Sequence, residues 1–160
     1  TQVGRLFLEL LPKMGAQISL SNSVLTITGS GSIQGIDCDL SEGGELVPVI
    51  IALATLAKTP SRVTGIAHLR GHETDRLKAL CTEINKIGGK ATELADGISI
   101  EPSAKLHGST WETYGDHRMA TAAAIIGLAV KDITVKDINV VSKTMPNFVE
   151  LWTKMIGPGN

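Results

Sequence analysis

The stretch Leu77-Lys78-Ala79-Leu80-Cys81-Thr82-Glu83-Ile84-Asn85-Lys86-Ile87-Gly88-Gly89-Lys90-Ala91-Thr92-Glu93-Leu94-Ala95-Asp96-Gly97-Ile98-Ser99-Ile100 decides the fold class. Leu77, Leu80, Cys81, Ile84 and Ile87 recur at helical spacing, and the stripe stops at Gly88-Gly89, where a helix is expected to end. Two strand-like runs follow, Lys90–Leu94 and Gly97–Ile100, broken at Ala95-Asp96. The same grammar stands 73 residues earlier. There Val3, Leu6, Phe7, Leu10, Leu11 and Met14 form the stripe and Gly15 stops it. Runs at Ala16–Leu20 and Val24–Thr28 follow, separated by the turn residues Ser21, Asn22 and Ser23. Under this offset Gly15 meets Gly88, Ile27 meets Ile100 and Ser30 meets Ser103.

Outward from this pair, the apolar stretches Leu46–Ala57 and Met119–Val130 correspond under the same shift. Each is hydrophobic on every side, which predicts a helix buried in the middle of a domain. A third amphipathic start, Phe148, Leu151, Trp152 and Met155, runs to Gly157-Pro158. The predicted unit is helix, two strands, buried helix, strand, present twice and then cut short. A period this long marks a duplicated subdomain, not a solenoid. The expected fold class is α/β, with residues 1–160 as a single domain; strand order does not follow from the pattern.

Composition narrows the function. Fifteen Lys and Arg against sixteen Asp and Glu leave a formal charge of −1, which argues against coating nucleic acid or an acidic membrane face. Two Trp, one Tyr and two Phe make base-stacking platforms improbable. The longest apolar run, Met119–Val130, is too short to span a bilayer, and the start does not resemble a signal peptide. Cys38 and Cys81 stand apart, without metal-ligand spacing, and are expected as reduced, buried small hydrophobes in a cytoplasmic protein. His68 and His107 read as surface or satisfied core residues, and Met14, Met119 and Met155 as core filler. There is no GxGxxG opening a helix after a strand, no GxxxxGK[ST] and no GxSxG.

Four polar clusters interrupt the chain just before or within the first turn of a predicted helix. They are Gly43-Gly44-Glu45, His72-Glu73-Thr74-Asp75-Arg76, Gly115-Asp116-His117-Arg118 and Ser142-Lys143-Thr144-Met145-Pro146. Pro146 suits a first helical position with Thr144 as its N-cap. Helix starts expose unpaired N–H groups and attract anions, and in a repeated fold equivalent starts can converge on one pocket. Taken alone, Glu73 and Asp75 could complement a helix start, Asp116 could be a cap, Arg76 could be a surface residue paired one turn on, and Lys143 could be solvated. Together they supply cations (Arg76, Arg118, Lys143), donors (His72, His117) and acids (Glu45, Glu73, Asp116). That inventory suits a small anionic substrate undergoing proton transfer. His72 and His117 lack partners at metal-ligand spacing, so no metal is expected.

The runs Leu69-Arg70-Gly71-His72-Glu73-Thr74-Asp75-Arg76-Leu77, Tyr114-Gly115-Asp116-His117-Arg118-Met119-Ala120 and Ser142-Lys143-Thr144-Met145-Pro146 resemble the C-terminal domain of the EPSP synthase (3-phosphoshikimate 1-carboxyvinyltransferase) family, in the family's order and near its spacing. The resemblance covers Thr1 to Pro158, less than half of the family's usual length. It implies repeated strand-helix units around a pseudo-threefold axis with buried helices. The implied reaction moves the enolpyruvyl group of phosphoenolpyruvate to the 5-hydroxyl of shikimate 3-phosphate, through a tetrahedral intermediate, with release of phosphate and no cofactor. By resemblance Arg76, Arg118 and Lys143 hold phosphoenolpyruvate, and Glu73 is the catalytic glutamate. Glu45 stands where many members have an aspartate that contacts shikimate and is proposed as base; His72 replaces a lysine near that substrate. Both look like actinobacterial variants. Asp75, Asp116 and His117 support them, whereas His68 stands where an asparagine is common and inherits no role.

The resemblance further implies a monomer whose missing N-terminal domain closes over both substrates. This chain starts inside a helix-like segment without Met, so a fragment, inactive by itself, is expected. A UDP-N-acetylglucosamine enolpyruvyl transferase-like domain and a non-catalytic α/β interaction module are the alternatives.

Overall fold

In the computed structural model, which describes residues 3–157, the repeat takes the form of two copies of one six-element unit. The first runs through α1 (Phe7–Lys13), β1 (Gln17–Ser21), β2 (Val24–Thr28), β3 (Asp37–Asp39), α2 (Val47–Thr55) and β4 (Ser61–Thr64). The second repeats it as α3 (Arg76–Lys86), β5 (Lys90–Glu93), β6 (Ile98–Glu101), β7 (Thr110–Trp111), α4 (His117–Gly127) and β8 (Thr134–Val135). Helix α5 (Phe148–Ile156) opens the grammar a third time.

Each unit holds an antiparallel hairpin, β1–β2 or β5–β6, and then two parallel strands joined across a helix, β3–α2–β4 or β7–α4–β8. The units interlock where β4 pairs antiparallel with β6, giving the sheet order β3-β4-β6-β5. Hairpin β1–β2 and pair β7–β8 remain two-stranded. Gly15 and Gly88 close α1 and α3 with φ of 96° and 81°. A Cβ on Gly88 would stand 2.3 Å from the Lys105 carbonyl oxygen, so the turn needs glycine for space as well as for conformation.

As the apolar stretches predict, α2 and α4 are buried and pack against each other. Val47, Ile50, Ile51 and Ala52 on one, and Met119, Ala120, Ala122, Ala123 and Ile126 on the other, are completely covered. The alanines let the backbones approach, and each covered Ile contributes roughly 1.5–3 kcal/mol of transfer free energy. Trp111 on β7 is also fully covered.

The structure corrects the sequence expectation in five places. Each unit has a third strand, β3 or β7, which at three and two residues is too short to show alternation. Helix α4 starts at His117 and stops at Gly127, so Leu128 is left 58% exposed although the apolar run continues to Val130. Helix α5 buries no residue, and Met155 is 63% exposed rather than core filler. Pro146 and Thr144 do not open α5: Asn147 precedes Phe148 without a side-chain cap, and Thr144 instead ends a 3-10 helix, Ile138–Lys143. Cys81 is buried, but Cys38 only half so; both are free. Gly157 ends α5 with φ 78°, and the expected stop at Pro158 lies outside the described residues. No helix among the described residues is long and apolar enough to cross a membrane.

Candidate active site at the helix starts

The four polar clusters meet. A 3-10 turn, Gly44–Leu46, carries Glu45 into α2; the loop after a second 3-10 helix, Ala67–Gly71, carries His72 and Glu73 into α3. Asp75 caps α3 by accepting the Lys78 backbone N–H at 3.1 Å, and Asp116 caps α4 by accepting that of Arg118 at 2.8 Å. Both aspartates therefore complement a helix start, and Asp116 does more than cap one. Its carboxylate, with no exposure, also takes Nε of Arg76 at 2.7 Å and one terminal nitrogen at 3.3 Å. Arg76 is itself 2% exposed, so this is a desolvated fork-to-carboxylate pair joining the starts of α3 and α4.

Around that pair stand the other polar side chains of the four clusters. Glu73 faces the Lys143 ammonium, the Nδ1 of His117 at 3.1 Å and Arg76 at 3.5 Å. Arg118 pairs with the Glu45 carboxylate and donates to the Glu45 carbonyl at 2.9 Å. His72 Nδ1 lies 3.3 Å from Arg76, and its ring tilts against His68, whose imidazole in turn leans over Gly44. His107 is a surface residue, as expected, within 3.0 Å of the Gly108 carbonyl. The hydrogen bond from Lys143 holds the Glu73 carboxyl below its ordinary value, with partial burial opposing and the His117 charge assisting. Burial pulls the Arg118 guanidinium below its ordinary value.

Lys143 enters from the end of the 3-10 helix Ile138–Lys143 and not from a helix start, so one of the four clusters reaches the site by a route its sequence setting did not suggest. Sequence reading also missed Arg70, which donates to the Leu94 carbonyl at 2.9 Å and faces Asp75 and Glu93. It ties the loop carrying Glu73 to the turn between β5 and β6. The ligand atoms of Glu73, Asp116 and His117 lie within 4.8 Å of one another. Arg76 faces both carboxylates and Lys143 one of them, so the charge pattern favours an anion over a metal ion.

Three cations from three segments, interleaved with carboxyl groups and a buried histidine, make an arrangement whose chemistry suits a small anion and proton transfer, on a duplicated α/β scaffold. The family profile of EPSP synthase (3-phosphoshikimate 1-carboxyvinyltransferase) matches residues 1–152, and the chain belongs to that family. It is 53% identical over 157 residues to a 3-phosphoshikimate 1-carboxyvinyltransferase of Kocuria rhizophila and 47% identical to that of Tropheryma whipplei, both actinobacteria as the variants at Glu45 and His72 suggest. Each alignment covers 98% of this chain and 35% of the relative, so the chain spans about a third of their length. EPSP synthase from Acinetobacter baumannii superposes with a TM-score of 0.83 at 26% identity, over 94% of this chain and 38% of that one. The enolpyruvyl transferase NikO from Streptomyces tendae shares the fold, with a TM-score of 0.68 at 18% identity over 92% of this chain and 34% of that one.

Proposed function

We propose that this chain supplies the phosphoenolpyruvate-facing part of an enzyme that transfers the enolpyruvyl group to the 5-hydroxyl of shikimate 3-phosphate. The observation that carries the reading is the convergence of Arg76, Arg118 and Lys143, each facing a carboxylate that an anionic substrate can replace or join. Arg76, fixed by Asp116, is the preorganised anchor; Arg118 and Lys143 are more exposed and can turn to the substrate's phosphate and carboxylate. Addition requires a proton on the methylene carbon and loss of one from the attacking hydroxyl. Glu73, beside two of these cations, Arg76 and Lys143, is assigned to the methylene carbon. Once Lys143 turns to the substrate, the hydrogen bond that lowers the Glu73 carboxyl is gone, and the protonated form that can deliver a proton is favoured. Glu45 is assigned to the hydroxyl, with His72 beside the same substrate. Elimination then returns the methylene and releases phosphate.

The rest of the longer protein is proposed to supply the other half of the substrate contacts, as a cytoplasmic monomer. It is also proposed to supply the remainder of a third unit around a pseudo-threefold axis. Equivalent positions support this: Ile98 and Ile100 are 0% and 2% exposed where β6 is paired with β4, whereas Leu25 and Ile27 on β2 are 46% and 50% exposed. A strand of the third unit beside β2 and a hairpin beside β8 would repeat the β4–β6 junction and close the ring.

Arg118→Ala in the full-length protein tests the function. Loss of a charge-assisted bond of about 1.5–3 kcal/mol should raise the phosphoenolpyruvate requirement roughly 10- to 150-fold and that for shikimate 3-phosphate far less. Equal effects on both substrates would point to a structural role for Arg118 and remove the assignment.

A further inference from the structure

Helix α3 holds the segment leading into α4 at two points. Near its start Arg76 takes Asp116. Two turns further along the same face, Glu83 holds the other end: one carboxylate oxygen accepts the Tyr114 hydroxyl at 2.8 Å and the other the Glu112 backbone N–H at 3.0 Å. Glu83 is 1% exposed, and Lys86 one turn on faces its second oxygen. Both acceptors are thus used by the 112–114 segment, which a glutamine, with one acceptor oxygen, could not match.

Between the two anchors the backbone is unusual. Tyr114 and Gly115 are consecutive left-handed residues, with φ of 54° and 70°. Glycine takes that conformation freely, whereas a tyrosine is strained there and needs its surroundings to hold it. Apolar burial does not do so, since Tyr114 is 43% exposed. The Asp116 N–H closes the turn on the Thr113 carbonyl at 2.8 Å, and the side-chain hold on it is the Tyr114 hydroxyl on Glu83. Burial, and secondarily Glu83, pushes that hydroxyl up to about 12, so it remains a donor across the neutral range. Asp116, which caps α4, follows two residues later, and His117 and Arg118 come next.

We infer that Glu83 and Tyr114 form a clasp that sets where α4 begins, and are positioning residues for Arg118 and His117. This rests on the proposed enolpyruvyl-transferase reading for its kinetic consequence, not for its geometry. A left-handed pair that relaxed would swing Asp116, and with it both the cap of α4 and the acceptor of Arg76.

The test uses the full-length protein carrying this chain, with Tyr114→Phe, which removes one oxygen and keeps the ring, and Glu83→Gln. In Tyr114→Phe, amide hydrogen exchange over residues 113–118 should quicken roughly tenfold while residues 79–87 of α3 stay as they were. The KM for phosphoenolpyruvate should rise roughly three- to tenfold, with kcat and the KM for shikimate 3-phosphate within about twofold. Glu83→Gln, keeping one acceptor, should fall between parent and Tyr114→Phe. Unchanged exchange over 113–118 would overturn the clasp. So would faster exchange with an unmoved phosphoenolpyruvate KM, because the hydroxyl would then steady the loop without serving the site. A parent protein without transfer activity would overturn the functional reading alone, and the exchange data would still decide whether the clasp exists.

Discussion

Replacing Arg76 by Met probes the pair on which the site is built. Met fills most of the volume of the arginine stem, so the loss is mainly electrostatic. Removing one member of a buried ion pair costs about 3–5 kcal/mol, because the other charge is left without its partner. Here Asp116 has no exposure and loses two donors, at 2.7 and 3.3 Å, but keeps the Arg118 backbone N–H at 2.8 Å. That retained bond places the expected loss near the lower end, about 3 kcal/mol. With a urea m-value of about 2 kcal/mol/M, the unfolding midpoint falls by roughly 1.5 M. Fluorescence of Trp111, wholly covered in the core, reports the transition in the 160-residue chain. Adding Asp116→Asn keeps an oxygen for the α4 cap and removes the orphaned charge. The double variant should therefore be more stable than Arg76→Met alone, a coupling of about 1–2 kcal/mol. A loss below about 1 kcal/mol for Arg76→Met, or strictly additive effects, would refute the argument that this pair is desolvated and mutually dependent.

Glu73→Gln in the full-length protein should suppress both turnover and exchange of solvent hydrogen into the methylene group of phosphoenolpyruvate; rapid exchange by this variant would assign that proton to another residue. Glu45→Gln should slow turnover while both substrates still bind, since the amide keeps the shape and loses the basicity; lost binding of shikimate 3-phosphate, measured by calorimetry, would make Glu45 a binding residue only. Acid titration gives a further check. The folded-state value of Glu73 lies below its ordinary 4.5, so its contribution to stability is complete above that value and disappears as pH falls through the folded one. Urea midpoints of the parent should fall on acidification below about 4.5 by more than those of Glu73→Gln; parallel curves would show that the Lys143 pairing does not stabilise the fold.

The parts of this fold that were legible are those whose sequence signal is local and long. Five apolar residues at helical spacing ending at Gly88, repeated at Gly15, gave both helix-hairpin units, and unbroken apolarity gave α2 and α4. Strands β3 and β7 left no such signal because, at three and two residues, they are too short to alternate and are defined by parallel pairing with strands distant in sequence. The sheet order escaped for the same reason: β4 meets β6 through contacts across 34 or more residues of chain. In the site, the clusters were legible because charge stands out in a chain this apolar. Lys143 was placed on the wrong element because Pro146 and Thr144 mimic a helix start. Glu83 could have been found: Arg76, Leu80, Glu83 and Ile87 share one helical face, and an acid on a face that otherwise carries core residues demands a partner.

Helices α2 and α4 start together where Arg118 reaches Glu45 and end together where residues 55–58 and 129–132 border one cleft. They are therefore parallel neighbours, and the partial charges of like sign at their adjacent ends repel each other. An anion settling at the shared positive end relieves that repulsion twice over. Part of the attraction for a negatively charged guest thus resides in the peptide groups of the core, where no side-chain substitution at the rim can remove it.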